Sequence, residues 1–121
     1  YKMKKHLRPF QYAANGLRIC FLSEINFRIH LLAAITAAGA GWYFRINRAE
    51  WIAVIGSIAA VLMAELFNTA IEQLCNLVSP GHNLIIGKVK DLSAAAVLVS
   101  AIMAAVTGLV IFLKYIIPWI N

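Results

Sequence analysis

Acidic side chains are scarce in this chain: five Asp and Glu stand against eleven Lys and Arg among 121 residues. Charged residues of both signs make up 13%, about half the share of an ordinary soluble domain, while 62% of residues are hydrophobic. That balance excludes a soluble domain with a charged surface. It places the chain among integral membrane proteins, with room for one small bundle and no second domain. Cysteine is sparse as well. Cys20 and Cys75 have no metal-ligand spacing and form no framework, which excludes a zinc module and a disulfide scaffold and leaves two buried or interfacial thiols. There is no Walker-type glycine loop, so an ordinary P-loop fold is excluded too. The first nine residues, YKMKKHLRP, are basic, but Gln11, Asn15 and Arg18 interrupt the apolar run a cleavable signal peptide needs, so none is expected.

Against this apolar background one stretch stands out. Trp51 to Val78 reads WIAVIGSIAAVLMAELFNTAIEQLCNLV, long enough to cross a bilayer, yet it carries Glu65 and Glu72. An acid at membrane depth costs about 2.5–3.5 kcal/mol on insertion scales and is retained where it has a task. At about 100° per residue, positions 65, 68, 72 and 76 share one narrow helix face. Glu65, Asn68, Glu72 and Asn76 therefore form a polar stripe down one side of a membrane helix.

The remaining segments arrange themselves around that stripe. Residues 7–23 mix Phe10, Tyr12, Leu17 and Phe21 with Arg8, Gln11, Asn15 and Arg18, a pattern suited to an amphipathic helix lying in the membrane interface. Apolar spans are expected at about 28–46, 51–78 and 92–117, with Trp42, Tyr43, Trp51 and Trp119 as interface anchors. Ser79-Pro80-Gly81 marks a turn, and a polar loop is expected from Ser79 to Lys90. The third span carries Ala94, Ala101, Ala104, Ala105 and Gly108 at helix-packing spacing, which places it inside a bundle or oligomer. Eight Lys and Arg fall in the N-terminal region and the 79–91 loop, against Arg45, Arg48 and Lys114 on the other side. The positive-inside rule puts the N-terminus in the cytoplasm. The expected fold is an all-α membrane protein of three spans and a surface helix.

Glu24, Glu72 and Asp91 then fall at one depth beside Lys90, where nucleotides are available. Mg²⁺ prefers one or two carboxylates plus phosphate oxygens, which Glu24 and Glu72 are able to supply. Lys90 would neutralise phosphate charge, and Glu65, two turns deeper, suits a general base toward an alcohol held in the membrane. Each residue also has a plainer reading. Glu65 and Glu72 are able to bond across helices, as are Asn68 and Asn76. Lys88 and Lys90 serve equally as topology determinants, Glu24 as a first-turn helix acid, and His30 and His82 as interfacial or loop histidines.

The motifs Asn15-Gly16-Leu17-Arg18, Glu24 with Asn26-Phe27-Arg28-Ile29-His30, Glu65-Leu66-Phe67-Asn68-Thr69-Ala70-Ile71-Glu72, and Lys90-Asp91 resemble the bacterial integral-membrane diacylglycerol kinase and undecaprenol kinase family over essentially the whole chain. The resemblance implies a homotrimeric bundle in the bacterial inner membrane, with ATP as donor, Mg²⁺ as metal and a lipid alcohol as acceptor. It implies Glu65 as general base on the lipid hydroxyl, Glu24 and Glu72 as Mg²⁺ ligands, and Asn68 as a residue ordering the nucleotide site. Tyr12, Lys90, Asp91, Lys5 and, in the 79–91 loop, His82 are implied as nucleotide contacts. Phe27 and Arg28 match positions near where the lipid enters. Asn76 departs from the Asp common in the family, and Gly81-His82-Asn83 replaces its more usual loop segment. The stretch from Asn26 to His30 leans toward undecaprenol over diacylglycerol. The competing class is a small transporter or helper subunit that uses Glu65 and Glu72 for proton or cation coupling; no nucleic-acid partner is expected.

Overall fold

A computed structural model describes residues 8–118, which form four α-helices and no strand. They are α1 Arg8–Ser23, α2 Ile25–Phe44, α3 Arg48–Val78 and α4 Leu84–Ile116. Lys5, a nucleotide contact by resemblance, and Trp119, an expected anchor, lie outside the described residues.

At 31 and 33 residues, α3 and α4 run about 46 and 50 Å at 1.5 Å per residue, against a hydrocarbon core of about 30 Å. Both are long and apolar enough to cross a membrane. The first two helices reach that standard only as a pair, and they meet at 106°. Arg28 and His30 near the start of α2 dilute what is otherwise an Ala- and Gly-rich apolar helix.

Each end of α3 has a local cause. The Asn47 side chain accepts from the Glu50 N–H at 2.9 Å while Glu50 accepts from the Asn47 N–H at 3.0 Å, a reciprocal capping box. At the other end Ser79-Pro80 stops the helix, since proline lacks the N–H that would continue it. Asn83 then caps α4, its Oδ1 accepting from the N–H groups of Ile85 and Ile86 at 2.9 and 3.1 Å. The helix thus starts at Leu84, and the loop expected to reach Lys90 closes within residues 79–83. Lys88, Lys90 and Asp91 are polar turns of a helix that outruns its apolar span.

The α1–α2 corner is built by Glu24 and Arg28. Glu24 takes an extended backbone (φ −118°, ψ 110°) between the helices. Arg28 swings back so that its guanidinium donates to the carbonyls of Phe21 at 2.8 Å and Leu22 at 3.4 Å, the otherwise orphaned acceptors of the last turn of α1. The same guanidinium lies 6.0 Å from the Phe21 ring centre. A cation at a helix C-terminus also complements the backbone dipole there.

The opposite end of the bundle holds most of the apolar core. Ile46, Val54 and Ile111 are buried against Phe44, Trp51, Phe112 and Tyr115, with Phe44 stacked on Tyr115 at 5.8 Å. Glu50 joins α3 to α4 there: its Oε2 lies 2.7 Å from the Lys114 ammonium and its Oε1 accepts from the Tyr115 hydroxyl at 2.7 Å. Arg45 turns the chain out of α2 in the left-handed region (φ 53°). That tight return brings Trp51 and Ile46 over Gly41, where a Cβ would stand 2.9 Å from the Trp51 ring and 3.0 Å from Ile46 Cδ1.

Gly39, about 200° around the helix from Gly41, has open space around it. Alanine gains about 1 kcal/mol over glycine in a helix, whereas overpacking costs about 1–3 kcal/mol. The expected outcome is that Gly39→Ala melts at or above the wild-type temperature in detergent and Gly41→Ala below it. Equal melting of the two variants would contradict this packing.

Candidate active site

The polar stripe of α3 is met by groups from every other helix. Glu65 is the most deeply buried of its residues, 2% exposed, about 20 Å from the C-terminal end of α3. His30 of α2 brings Nε2 to 3.5 Å from Glu65 Oε1. From α1, Cys20 reaches across to the Thr69 hydroxyl, Sγ to Oγ1 3.4 Å, one turn beyond Glu65; both residues are buried. That contact docks α1 against α3.

Asn68 is the joint between α3 and α4. Its amide nitrogen donates to Glu72 Oε1 at 3.3 Å, and its carbonyl oxygen accepts from the Ser93 hydroxyl at 2.7 Å. The same hydroxyl lies 2.9 Å from the Lys90 carbonyl, so its one proton is shared between two acceptors. Farther along, the Lys90 ammonium donates to Asn76 Oδ1 at 2.6 Å. The two asparagines thus do cross-link helices, the plainer of their two readings. Asn76 is a neutral partner, so Lys90 is held in place without its charge being cancelled.

Glu24 and Glu72 both lie close enough to Glu65 to act on it electrostatically. Glu24 sits at the N-cap of α2, yet its side chain makes no capping bond. Among the described residues no three His, Cys, Asp or Glu side chains come together to hold a metal ion unaided. What the chain offers is hard oxygen donors in small number, the donor set that suits Mg²⁺ when phosphate oxygens and water complete it.

The remaining expected site residues are more scattered. Tyr12 on α1, His82 in the 79–83 turn and Asp91 on α4 are exposed, while Phe27 is buried at 3%. Arg28 closes the α1 end, as described. Beyond His30 an apolar cavity of about 280 Å³ opens between α2, α3 and α4, lined by Ala33, Ala34, Ala37, Val61, Ala101, Ala104, Ala105 and Gly108, with Phe112 at its far end. Ala101, Ala104, Ala105 and Gly108 of the small-residue set on α4 line this space.

Sequence reasoning did not find His30, Ser93 or the Cys20–Thr69 contact. Ser93 follows Lys90 by three residues and Thr69 follows Glu65 by four, so helical spacing put both on the site face. His30 carried no such signal, because its partner lies on another helix.

Glu65 and Glu72 thus lie along one face of α3, with Lys90 tied to Asn76 toward its C-terminal end and an apolar cavity beyond His30. The prokaryotic diacylglycerol kinase family matches residues 11–112. The chain is 30% identical over 112 residues to the undecaprenol kinase of Bacillus subtilis, covering 93% of this chain and 91% of that protein. It is 28% identical over 96 residues to the diacylglycerol kinase of Escherichia coli, covering 79% of each. To the diacylglycerol kinase of a Synechocystis species it is 30% identical over 103 residues, covering 84% of this chain and 59% of that protein. The chain belongs to the prokaryotic diacylglycerol kinase family. It is a lipid kinase that transfers phosphate to an alcohol, with ATP as donor.

Removing the Ser93 hydroxyl frees the Asn68 amide and with it Glu72. A hydrogen bond of this kind is worth about 0.5–1.5 kcal/mol. Ser93→Ala is expected to lower kcat about three- to tenfold with helicity unchanged by circular dichroism; wild-type turnover would show that the joint has no part in the site.

Proposed function

We propose that this protein phosphorylates undecaprenol, with diacylglycerol as the alternative acceptor. The observation that carries the reading is the position of Glu65. It is a carboxylate buried in an apolar helix, with acids and a lysine toward one end of the helix and an alanine-lined cavity on the other side. A lipid alcohol fits that division, its hydroxyl at Glu65 and its hydrocarbon along the cavity.

In the transfer, the Glu65 carboxylate accepts the hydroxyl proton as the alcohol oxygen bonds to the terminal phosphorus and ADP leaves. Asn68 orients Glu72, and Lys90 offers its uncancelled charge to the phosphates. Glu24 and Glu72 are the residues that would hold Mg²⁺, which when bound supplies charge neutralisation along the phosphate chain. Tyr12, Asp91, His82 and Lys5 are assigned to the nucleotide, and Phe27 and Arg28 to the lipid side; of the last two, Arg28 shapes the corner and Phe27 is buried.

The assembly read with this function is a homotrimer, each chain crossing the bacterial inner membrane three times from a cytoplasmic N-terminus, with α1 on the surface. The basic residues of α1 and the start of α4 support that orientation. Broad exposed apolar faces, such as Leu98, Val99, Ile102 and Met103 on α4, support burial in lipid or against further copies. The choice of undecaprenol is supported by the Bacillus subtilis relative and by the Asn26–His30 segment.

The test is transfer of labelled phosphate from ATP to undecaprenol and to diacylglycerol, side by side in mixed micelles, with Mg²⁺ and with excess chelator. Label is expected in both lipids' phosphate products, more in undecaprenyl phosphate, and in neither once the metal is chelated. A larger yield of phosphatidic acid would favour the alternative, and no label in either lipid would overturn the reading.

A further inference from the structure

Glu65 has a partner that the proposed chemistry leaves unused. His30 Nε2 lies 3.5 Å from Glu65 Oε1, with the imidazole 23% exposed and the carboxylate 3%. His30 also lines the apolar cavity, so it stands where cavity and carboxylate meet. The other ionisable groups acting on Glu65 are of a different kind: Glu24 at the corner and Glu72 on α3 are acids, and Cys20 on α1 is a buried thiol held to Thr69. From α4, Lys90 and Ser93 are engaged with Asn76 and Asn68. Among the described residues, the imidazole is therefore the basic group set against this carboxylate.

We propose that His30 is a positioning residue for the phosphoryl transfer: it engages one oxygen of Glu65 and leaves the other for the lipid hydroxyl at the cavity mouth. The inference rests on the reading of Glu65 as the base. By direct contact it fixes the carboxylate rotamer, which a base needs in order to meet its proton at hydrogen-bond distance.

The experiment compares kcat and KM for undecaprenol phosphorylation with MgATP in wild type, His30→Gln and His30→Ala, each checked for size and melting temperature. His30→Ala is expected to lose about 10- to 100-fold in kcat, the range for a hydrogen bond to a charged group, with KM for ATP unchanged. His30→Gln, which retains a donor, should recover most of the wild-type rate. An active wild type with identical kcat in all three proteins overturns the inference alone. So does a His30→Ala protein whose loss appears only in melting temperature or ATP KM. An inactive wild type overturns the reading of Glu65 and this inference with it.

Discussion

A carboxylate placed inside an apolar helix has to be met by polar groups from other helices, and this requirement organises the site end of the molecule. Water is not available in the hydrocarbon region to satisfy such a group. Glu65 accordingly has His30 from α2, while Thr69, one turn on, has Cys20 from α1. Asn68 reaches Ser93 and Asn76 reaches Lys90, both on α4. One face of one helix thus gathers all the other elements.

The two ends of the bundle divide the labour. At the Glu50 end, a carboxylate is held by Lys114, Tyr115 and the Asn47 cap, next to the packed core of Ile46, Val54 and Ile111. That arrangement ties helices. At the Glu65 end, Glu24 makes no capping bond to its helix, and Glu72 accepts one long bond from Asn68.

How much of this was legible in the sequence follows from what each signal reports. Helical periodicity within one segment placed Glu65, Asn68, Glu72 and Asn76 on a single face, because all four belong to the same helix. The E-x-x-N-x-x-x-E pattern and the Lys90-Asp91 pair pointed to the family that residues 11–112 match. Contacts between helices were not legible. His30 looked like an interfacial histidine because nothing local ties it to residue 65, and the role of Arg28 in closing α1 depends on a 106° bend that no pattern announces. The loop after Pro80 was read too long because Lys88, Lys90 and Asp91 are polar, whereas the Asn83 cap starts a helix before the apolar run begins.

The central claim is that Glu65 acts on the alcohol and not on the nucleotide. It is tested most directly by measuring MgATP affinity and phosphate transfer on one preparation of Glu65→Gln. A base contributing through proton removal is worth about 10²–10⁴ in rate. Transfer should therefore fall at least about 100-fold while nucleotide binding stays within a small factor of wild type. Transfer near the wild-type rate, or a loss explained wholly by weaker nucleotide binding, would contradict it.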